Sequence, residues 1–258
     1  MRILFIRHGD PDYENDTLTE KGRREAALLA QMAPSMKIDD CYMSPLGRAQ
    51  ATASCSLKAM GKTAAVLDWL KEFPAKADLS LFEELADAYG HGPEENSLYG
   101  IRNVVWDMLP SYWTRHPEYS DVDRWQQSAA AKSGDAVHVY KHVCREFDRL
   151  LETYGYQRED RHYRVVRENT KTIACYCHYG IICALLSHLW HVSPFVLWQG
   201  IALAPTSVTE VVSEERQQGT AVFRALRVGD ISHLYAGQEP PSFSARFCEV
   251  FSDMSQRH

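Results

Sequence analysis

The stretch Arg2-Ile3-Leu4-Phe5-Ile6-Arg7-His8-Gly9 decides the fold of this chain. Its unbroken apolar run, without alternating polar side chains, is typical of a strand buried on both faces, as in parallel sheets. The strand ends in Arg7 and His8, and a glycine follows at once. Because open α/β sheets bind ligands at the carboxyl ends of their strands, this pattern predicts a functional site directly after the first strand.

A second histidine occurs in the same setting far downstream. His178 follows the apolar run Ile173-Ala174-Cys175-Tyr176-Cys177 and precedes Tyr179-Gly180, where a helix is expected to begin. An arginine and a histidine beside a helix N-terminus form an anion site that also carries a nucleophile. The two histidine motifs together therefore indicate a phosphate-type substrate.

Length and charge limit the classes of protein to consider. The chain has 258 residues, of which 45% are hydrophobic, and this length suits a single α/β domain that carries an insertion. Its formal net charge of −6 argues against general binding to nucleic acid or to a membrane surface, which depends on clustered Lys and Arg. A local basic pocket is compatible with this charge.

The cysteines and the apolar segments indicate the cellular compartment. The seven cysteines form an odd set without a CxxC pair, which favours reduced, buried thiols over a disulfide framework. The apolar run at the N-terminus is too short for a signal peptide, and no stretch approaches the ~20 apolar residues of a membrane span. We therefore expect a soluble, cytoplasmic protein.

Apolar periodicity predicts an α/β architecture. Thr19 is expected to cap the first helix and Ser44 the second, with Pro45 in the first turn. Residues 157–169 are expected to form a charged connection. The predicted strands are 2–7, 41–43, 63–67 and 172–177, with a hairpin of 207–213 and 221–228, and the predicted helices are 19–33, 45–60, 134–154 and 180–190.

Residues 74–133 interrupt this regular pattern. Their apolar periodicity is weak, and aromatic residues occur there together with Pro and Gly. We interpret this segment as a partly helical cap inserted into a single domain that spans residues 1–258. The predicted fold is a three-layer α/β/α sandwich with a mostly parallel central sheet and a helical cap insertion. The core would bind phosphate, and the cap would select the molecule that carries it.

Four separated motifs resemble those of the histidine phosphatase superfamily, in its phosphoglycerate-mutase-like branch 1. They are Arg7-His8-Gly9, Leu18-Thr19-Glu20-Lys21-Gly22, Ser44-Pro45-Leu46-Gly47-Arg48-Ala49 and His178-Tyr179-Gly180. A lone Arg-His-Gly tripeptide recurs by chance, but the order and setting of all four motifs agree. The resemblance runs from residue 3 to about residue 212 and is absent in the cap.

The resemblance implies a role for each residue of the core site. His8 would attack phosphorus and become phosphohistidine, which requires a neutral ring with one free nitrogen. Arg7 and Arg48 would bind phosphate oxygens with their planar guanidinium groups, and His178 would donate to a phosphoryl oxygen. Gly9 and Asn15 are further candidates for contacts with the phosphate or the substrate. The resemblance implies no metal ion and no organic cofactor.

The proton donor is assigned from a shorter pattern. In related proteins this carboxyl group follows the third strand in a Leu-x-Glu sequence, which Leu70-Lys71-Glu72 matches. The segment after Glu72 departs from the family pattern, because Phe73-Pro74-Ala75 replaces the usual continuation. Glu83 and Glu84 are therefore kept as alternatives to Glu72.

The favoured function is a metal-independent phosphatase acting on a small phosphorylated metabolite. Two alternatives stay open: a phosphoglycerate-type mutase, and a phosphate-binding regulatory module without catalytic activity. The segment after Gly9 lacks the Ser/Thr-x-Trp-Asn pattern of the mutases, which favours hydrolysis. We expect neither nucleic acid nor a membrane as partner, and the sequence leaves formation of a homo-oligomer open.

Overall fold

The computed structural model describes residues 1–74, 76–78, 81–89, 105–246, 249–250 and 252–253, except for the side chains of residues 83, 84, 86 and 245. The chain divides into two compact units. The first comprises Met1–Glu72, Asp148–Ile182 and Ala202–His258, and the second comprises Phe73–Phe147 and Cys183–Ile201. A single domain with residues 74–133 as its cap stays a prediction.

The first unit contains an eight-stranded sheet. Its order is β5-β4-β8-β1-β9-β10-β7-β6, and a separate two-stranded ribbon joins β2 to β3. The strands are β1 (Arg2–Arg7), β2 (Pro11–Asp12), β3 (Thr17–Leu18), β4 (Asp40–Met43), β5 (Ala64–Val66), β6 (Tyr156–Glu159), β7 (His162–Val165), β8 (Thr172–Cys177), β9 (Val208–Gln217) and β10 (Thr220–Asp230).

The sheet is parallel on one side of β1 and antiparallel on the other. Strands β5, β4, β8 and β1 are parallel neighbours, whereas β9, β10, β7 and β6 each pair antiparallel with the strand before them. Because each of these strands runs opposite to the one before it, β10 and β6 run in the same direction as β1. Most strands of the sheet therefore share one direction. The predicted α/β class with a mostly parallel central sheet is confirmed.

Two helices of the first unit pack against its sheet. The helices described by the structure are α1 (Glu20–Met32), α2 (Gly47–Met60), α3 (Pro110–Trp113), α4 (Ala129–Lys132), α5 (Ala136–Thr153), α6 (Tyr179–Trp190), α7 (Pro194–Gly200) and α8 (Ser232–Ala236). Leu4 and Ile6 of β1 pack with Leu29 of α1 and Leu57 of α2 in one core cluster. Ile3 and Phe5 point to the opposite face and are equally buried, so β1 is covered on both faces.

Two local predictions were wrong. The second helix begins at Gly47 with Leu46 as its N-cap, so Pro45 precedes the first turn and Ser44 does not cap the helix. Residues 157–169 are no simple connection, because β6 and β7 form a hairpin at the edge of the sheet. By contrast, Thr19 caps α1 as predicted, since its side chain accepts a hydrogen bond from Gly22 N.

The second unit has an aromatic core. Phe195 packs edge-on against Tyr119 and Trp198, with ring centroids 4.9 and 5.3 Å apart, and Trp125 is nearly fully buried. These rings stabilise the unit through apolar burial and edge-to-face contacts. Residues 90–104, with Tyr99 among the aromatic residues of the segment 74–133, lie outside the described residues.

Two further observations concern the cysteines and the lengths of the helices. The cysteines in the described part of the chain are free thiols, all of them buried except the half-buried Cys55, whereas Cys248 lies outside that part. None of the helices among the described residues is both long enough and apolar enough to cross a bilayer.

Candidate active site

Parallel pairing of β1 with β8 brings the two histidine motifs together. Arg7 is paired with Cys177 at the carboxyl ends of these strands, so His8 and His178 leave the sheet side by side. The backbone N–H of His8 donates to the carbonyl of Cys177 at 3.0 Å. The two imidazole rings lie 5.0 Å apart between centroids. The site thus lies at the sheet edge where α/β proteins bind their ligands.

The ring of His8 is held in one tautomer. Its Nδ1 lies 2.7 Å from the carbonyl oxygen of Gly9, and because a carbonyl can only accept, Nδ1 carries the hydrogen. Nε2 is therefore the unprotonated nitrogen of the neutral ring. Burial, reinforced by the charge of Arg7 and by His178, lowers the pKa of His8 well below its usual value. His8 is consequently a neutral imidazole with Nε2 available as a nucleophile.

Arg7 is a buried cation whose guanidinium is fixed by backbone carbonyls. Nη1 donates to the carbonyl of Leu203, and Nη2 donates to that of Ser244 at 3.0 Å. Nε has no partner in the described part of the chain. Two carbonyls thus orient the guanidinium, while its Nε–H stays unused in the described part of the chain.

Arg48 enters the site from the first turn of α2 and is oriented by Asp16. Its Nη1 forms an ion pair of 2.7 Å with Asp16 Oδ1, while Asp16 Oδ2 accepts from Gly47 N at 2.6 Å. A side chain at Gly47 could not be accommodated, since a Cβ there would lie 2.1 Å from the carbonyl oxygen of Asp16. Burial raises the pKa of Asp16, but the hydrogen bonds from Gly47 and Arg48 bring it below its usual value. Asp16 is thus a carboxylate that aims Arg48.

His178 is fixed by Ser44, the residue that follows β4. His178 Nε2 lies 2.8 Å from Ser44 Oγ, which also accepts a hydrogen bond from Leu46 N. His178 is fully buried, and its Nδ1 has no partner among the described residues. Burial, followed by the charges of Arg48 and Arg7, lowers the pKa of His178 well below its usual value. His178 is therefore a second neutral imidazole.

The unused polar atoms of these residues point to an anionic ligand. Arg7 Nε, Arg48 Nε and His178 Nδ1 are buried without a partner in the described part of the chain. Each such group costs about 1–3 kcal/mol unless a ligand or water satisfies it. The charges of Arg7 and Arg48 both lower the pKa of His8, which places all four predicted residues in one neighbourhood. Two guanidinium groups and two imidazoles suit a tetrahedral oxyanion.

Glu72 lies in the same neighbourhood. Its Oε1 accepts a hydrogen bond of 3.0 Å from Gly180 N, in the first turn of α6. Burial lowers the pKa of Arg7, and the charge of Glu72 is near enough to raise it partly back. The alternatives Glu83 and Glu84 lie in a short 3-10 helix, but their side chains lie outside the described residues. The role of Glu72 as proton donor stays a prediction.

Gly9 and Asn15 differ in burial and in their contacts. Gly9 N donates to Thr52 Oγ1 at 2.9 Å, and the loop at Gly9 packs closely on Gly22, whose carbonyl oxygen would lie 2.8 Å from a Cβ at Gly9. Asn15 is exposed, and its side-chain amide donates to Asp12 Oδ2 at 2.8 Å. Their contacts with a phosphate stay predictions.

Sequence reasoning missed several residues that shape this site. It assigned Ser44 to a helix cap, although Ser44 binds His178, and it gave no role to Asp16 or Thr52. The signal for Ser44 is its position one residue after a strand and four before Arg48. The rings of Tyr13 and Tyr179 lie 5.3 and 6.0 Å from the guanidinium carbons of Arg48 and Arg7, respectively. These cation–π contacts depend on tertiary structure and leave no local sequence pattern.

Known proteins resemble this chain in sequence motif and in fold. Residues 3–97 match the sequence model of the histidine phosphatase superfamily (branch 1). A mycobacterial glucosyl-3-phosphoglycerate phosphatase with inorganic phosphate has a similar structure, with 17% identity, a TM-score of 0.59 and coverage of 90% of this chain and 98% of that chain. No curated protein matches the chain by sequence.

Two further solved structures share the fold. A phosphoserine phosphatase from Entamoeba histolytica, in complex with 3-phosphoglyceric acid, is 18% identical, with a TM-score of 0.57 and coverage of 90% of this chain and 98% of that chain. The alpha-ribazole phosphatase from Shigella flexneri is 18% identical, with a TM-score of 0.52 and coverage of 89% and 97%, respectively. The recognition from the four motifs is thus confirmed: the chain carries the branch 1 sequence pattern of the histidine phosphatase superfamily in residues 3–97 and has the fold of that superfamily.

Proposed function

We propose that this protein is a metal-independent phosphatase that hydrolyses a small cytoplasmic phosphomonoester through a phosphohistidine intermediate on His8. One observation carries the proposal. His8 is neutral with Nε2 unprotonated, and it lies in one buried neighbourhood with the unpartnered Nε atoms of Arg7 and Arg48 and the unpartnered Nδ1 of His178. A nucleophile surrounded by unused donors suits transfer of a phosphoryl group.

In the first step, His8 Nε2 attacks phosphorus and the bond to the ester oxygen breaks. The phosphoryl group spreads negative charge over its equatorial oxygens, which the guanidinium groups of Arg7 and Arg48 stabilise. His178 donates through Nδ1–H, which requires the Ser44 hydroxyl to donate to Nε2. Because His8 is neutral in the resting site, it needs no prior loss of a proton.

Proton transfer is assigned to Glu72. Its Oε1 accepts from Gly180 N, so Oε2 would carry the proton that the departing alkoxide takes up. The resulting carboxylate would then activate a water molecule for attack on phosphohistidine, which returns the proton to Glu72 and releases inorganic phosphate. The cycle balances without any further reactant.

Hydrolysis is preferred over phosphoryl transfer between substrate positions. The segment after Gly9 reads Asp10-Pro11-Asp12-Tyr13-Glu14 and lacks the Ser/Thr-x-Trp-Asn pattern of the mutases. Structural neighbours named as phosphatases act on phosphoserine, glucosyl-3-phosphoglycerate and alpha-ribazole phosphate esters, which supports a small phosphorylated metabolite as substrate class.

Turnover of p-nitrophenyl phosphate in the presence of a chelator tests the proposal. The wild type should release p-nitrophenol and phosphate, and His8→Ala should not. His138→Ala, which removes an exposed histidine on α5, is the matched control and should keep wild-type activity. An inactive wild type that still binds phosphate would support the regulatory module. Transfer of the phosphoryl group without release of phosphate would support a mutase. Equal activity of His8→Ala and wild type would refute the role of His8.

A further inference from the structure

A segment near the C-terminus forms ion pairs with α1 and accepts a hydrogen bond from Arg7. We call residues 239–246 the C-terminal strap. The carboxylate of Glu239 forms ion pairs of 2.8 Å with Lys21 Nζ and with Arg24 Nε. Lys21 Nζ also donates to the carbonyl of Pro240. The strap then continues to Ser244, whose carbonyl accepts from Arg7 Nη2 at 3.0 Å. The orientation of a guanidinium in the candidate site thus depends on where the strap lies.

Glu25 joins the strap to the loop that follows His8. Its side chain is completely buried, with 0% exposure. Oε2 accepts from Asp10 N at 2.9 Å, and Oε1 accepts from Ser242 N at 3.2 Å. Ser242 Oγ donates to Asp10 Oδ1 and accepts from Ser244 N at 3.1 Å. A chain of hydrogen bonds therefore leads from Glu25 through Ser242 and Ser244 to Arg7.

We propose that Glu25 is a positioning residue for the phosphate-binding guanidinium of Arg7, and that it acts through Ser242 and Ser244 of the C-terminal strap. The proposal rests on the proposed function only in assigning the phosphate to Arg7. Glu25 touches neither substrate nor reacting atoms. Burial of a carboxylate costs free energy unless both of its oxygens are hydrogen-bonded. Here each oxygen of Glu25 accepts from the backbone of a different segment, so the carboxylate fixes the two segments relative to each other.

The charge of Glu25 makes this contact sensitive to pH. Burial raises the pKa of Glu25 to about 7, although the hydrogen bond from Asp10 N opposes the increase. Lys21 lowers this pKa and the charge of Asp10 raises it, while Arg7 and Arg24 are the other charges that Glu25 influences. A protonated carboxyl group carries a hydroxyl in place of one acceptor oxygen. Below neutral pH, one of its two backbone contacts is therefore weakened, and Arg7 is held less firmly.

Calorimetric binding of sulfate between pH 6 and pH 8 tests the proposal. Sulfate keeps its charge throughout this range, and His8 and His178 stay neutral because burial, together with nearby positive charges, lowers their pKa values. The wild type should bind sulfate about two- to tenfold more weakly at pH 6 than at pH 8, the range expected for loss of one hydrogen bond. Glu25→Gln should bind weakly and equally at both pH values, because an amide has one acceptor oxygen only.

Two variants complete the design. Glu20→Gln makes the same substitution at an exposed position of the same helix and should keep the wild-type pH profile. Ser242→Ala keeps the bond from its backbone N–H to Glu25 but loses the contacts of its hydroxyl with Asp10 and Ser244. It should weaken sulfate binding even at pH 8, and it serves as the test if Glu25→Gln does not fold.

Several outcomes would overturn the proposal. They are the absence of sulfate binding by the wild type, an unchanged pH profile in Glu25→Gln, and wild-type affinity in Ser242→Ala. Tighter sulfate binding by the wild type in acid would also overturn it, since Glu25 would then act only as a nearby negative charge. Hydrolysis of p-nitrophenyl phosphate by the same preparations separates the two proposals. A wild type that binds sulfate with the expected profile but does not hydrolyse the ester refutes only the phosphatase.

Discussion

The imidazole rings of His8 and His178 lie 5.0 Å apart between their centroids, tilted by 56°. Each ring directly follows a strand, and the parallel register of Arg7 with Cys177 fixes their separation. Each ring also has a different anchor, a carbonyl for His8 and a hydroxyl for His178. The sheet therefore places two neutral imidazoles, with different free nitrogens, at one edge.

The buried pair should make folding stability depend on pH. Both pKa values lie well below the usual value in the folded protein, so the unfolded chain binds protons more readily below about pH 6.5. The stability that the neutral rings provide is present above this pH and is lost as the pH falls. Each ring contributes up to about 1.4 kcal/mol per pH unit. Urea unfolding at pH 7.5 and pH 5.5 should therefore show a smaller loss for His178→Asn than for wild type.

The exposed His138 provides the control for that measurement. His138→Asn should lose as much stability as wild type between the two pH values. If His178→Asn and wild type lost the same amount, His178 would titrate normally in the folded protein, contrary to its position in the site.

Glu72→Gln should affect poor leaving groups far more than good ones. Glutamine keeps the oxygen that accepts from Gly180 N, so the contact with α6 survives and only the proton is lost. An alkyl phosphate needs that proton, and its kcat/KM should fall about a hundredfold or more. p-Nitrophenyl phosphate should be affected much less, because p-nitrophenolate leaves without protonation. An equal decrease for both substrates would argue against Glu72 as the acid.

Asp16→Asn should weaken phosphate binding by misaligning Arg48. Asparagine can still accept from Gly47 N, but it loses the ion pair with Arg48. The inhibition constant of inorganic phosphate should rise about tenfold. Glu14→Gln removes an exposed charge from the same loop and should have little effect. Equal constants in Asp16→Asn and wild type would show that Arg48 keeps its orientation without this carboxylate.

Ser44→Ala should lower kcat. The substitution leaves Nε2 of the buried His178 without its partner, so the ring loses both its orientation and its preferred tautomer. We expect about a tenfold decrease in kcat for p-nitrophenyl phosphate. Ser54→Ala, on the exposed side of α2, should be indistinguishable from wild type. A Ser44→Ala enzyme as active as this control would contradict the assigned role of Ser44.

The core of the fold could be predicted because burial on both faces leaves a strong pattern. The uninterrupted apolar runs before His8 and His178 identified β1 and β8, and α/β topology then placed both histidines at one edge. The β6–β7 hairpin could not be predicted in this way. It forms the edge of the sheet, where side chains such as Glu159 and Arg164 are exposed to solvent and weaken the apolar signal.

The supporting residues of the site were harder to predict than the residues that they support. Arg7, His8, Arg48 and His178 occur in recognisable motifs, whereas the roles of Asp16 and Glu25 are identified only by contacts across the fold. Glu25 is an instructive case. It lies on α1 outside any recognised site motif, and it is completely buried where Ser242 of the C-terminal strap contacts it.

Mapping of the phosphorylated residue during turnover tests the proposed chemistry. Protein quenched in alkali during hydrolysis of a phosphomonoester should carry a base-stable, acid-labile phosphoryl group on His8. Nitrogen-15 NMR should assign it to Nε2, since Nδ1 donates its hydrogen to the carbonyl of Gly9. Phosphate on any other residue or on Nδ1 of His8, or wild-type turnover by His8→Ala, would contradict the mechanism.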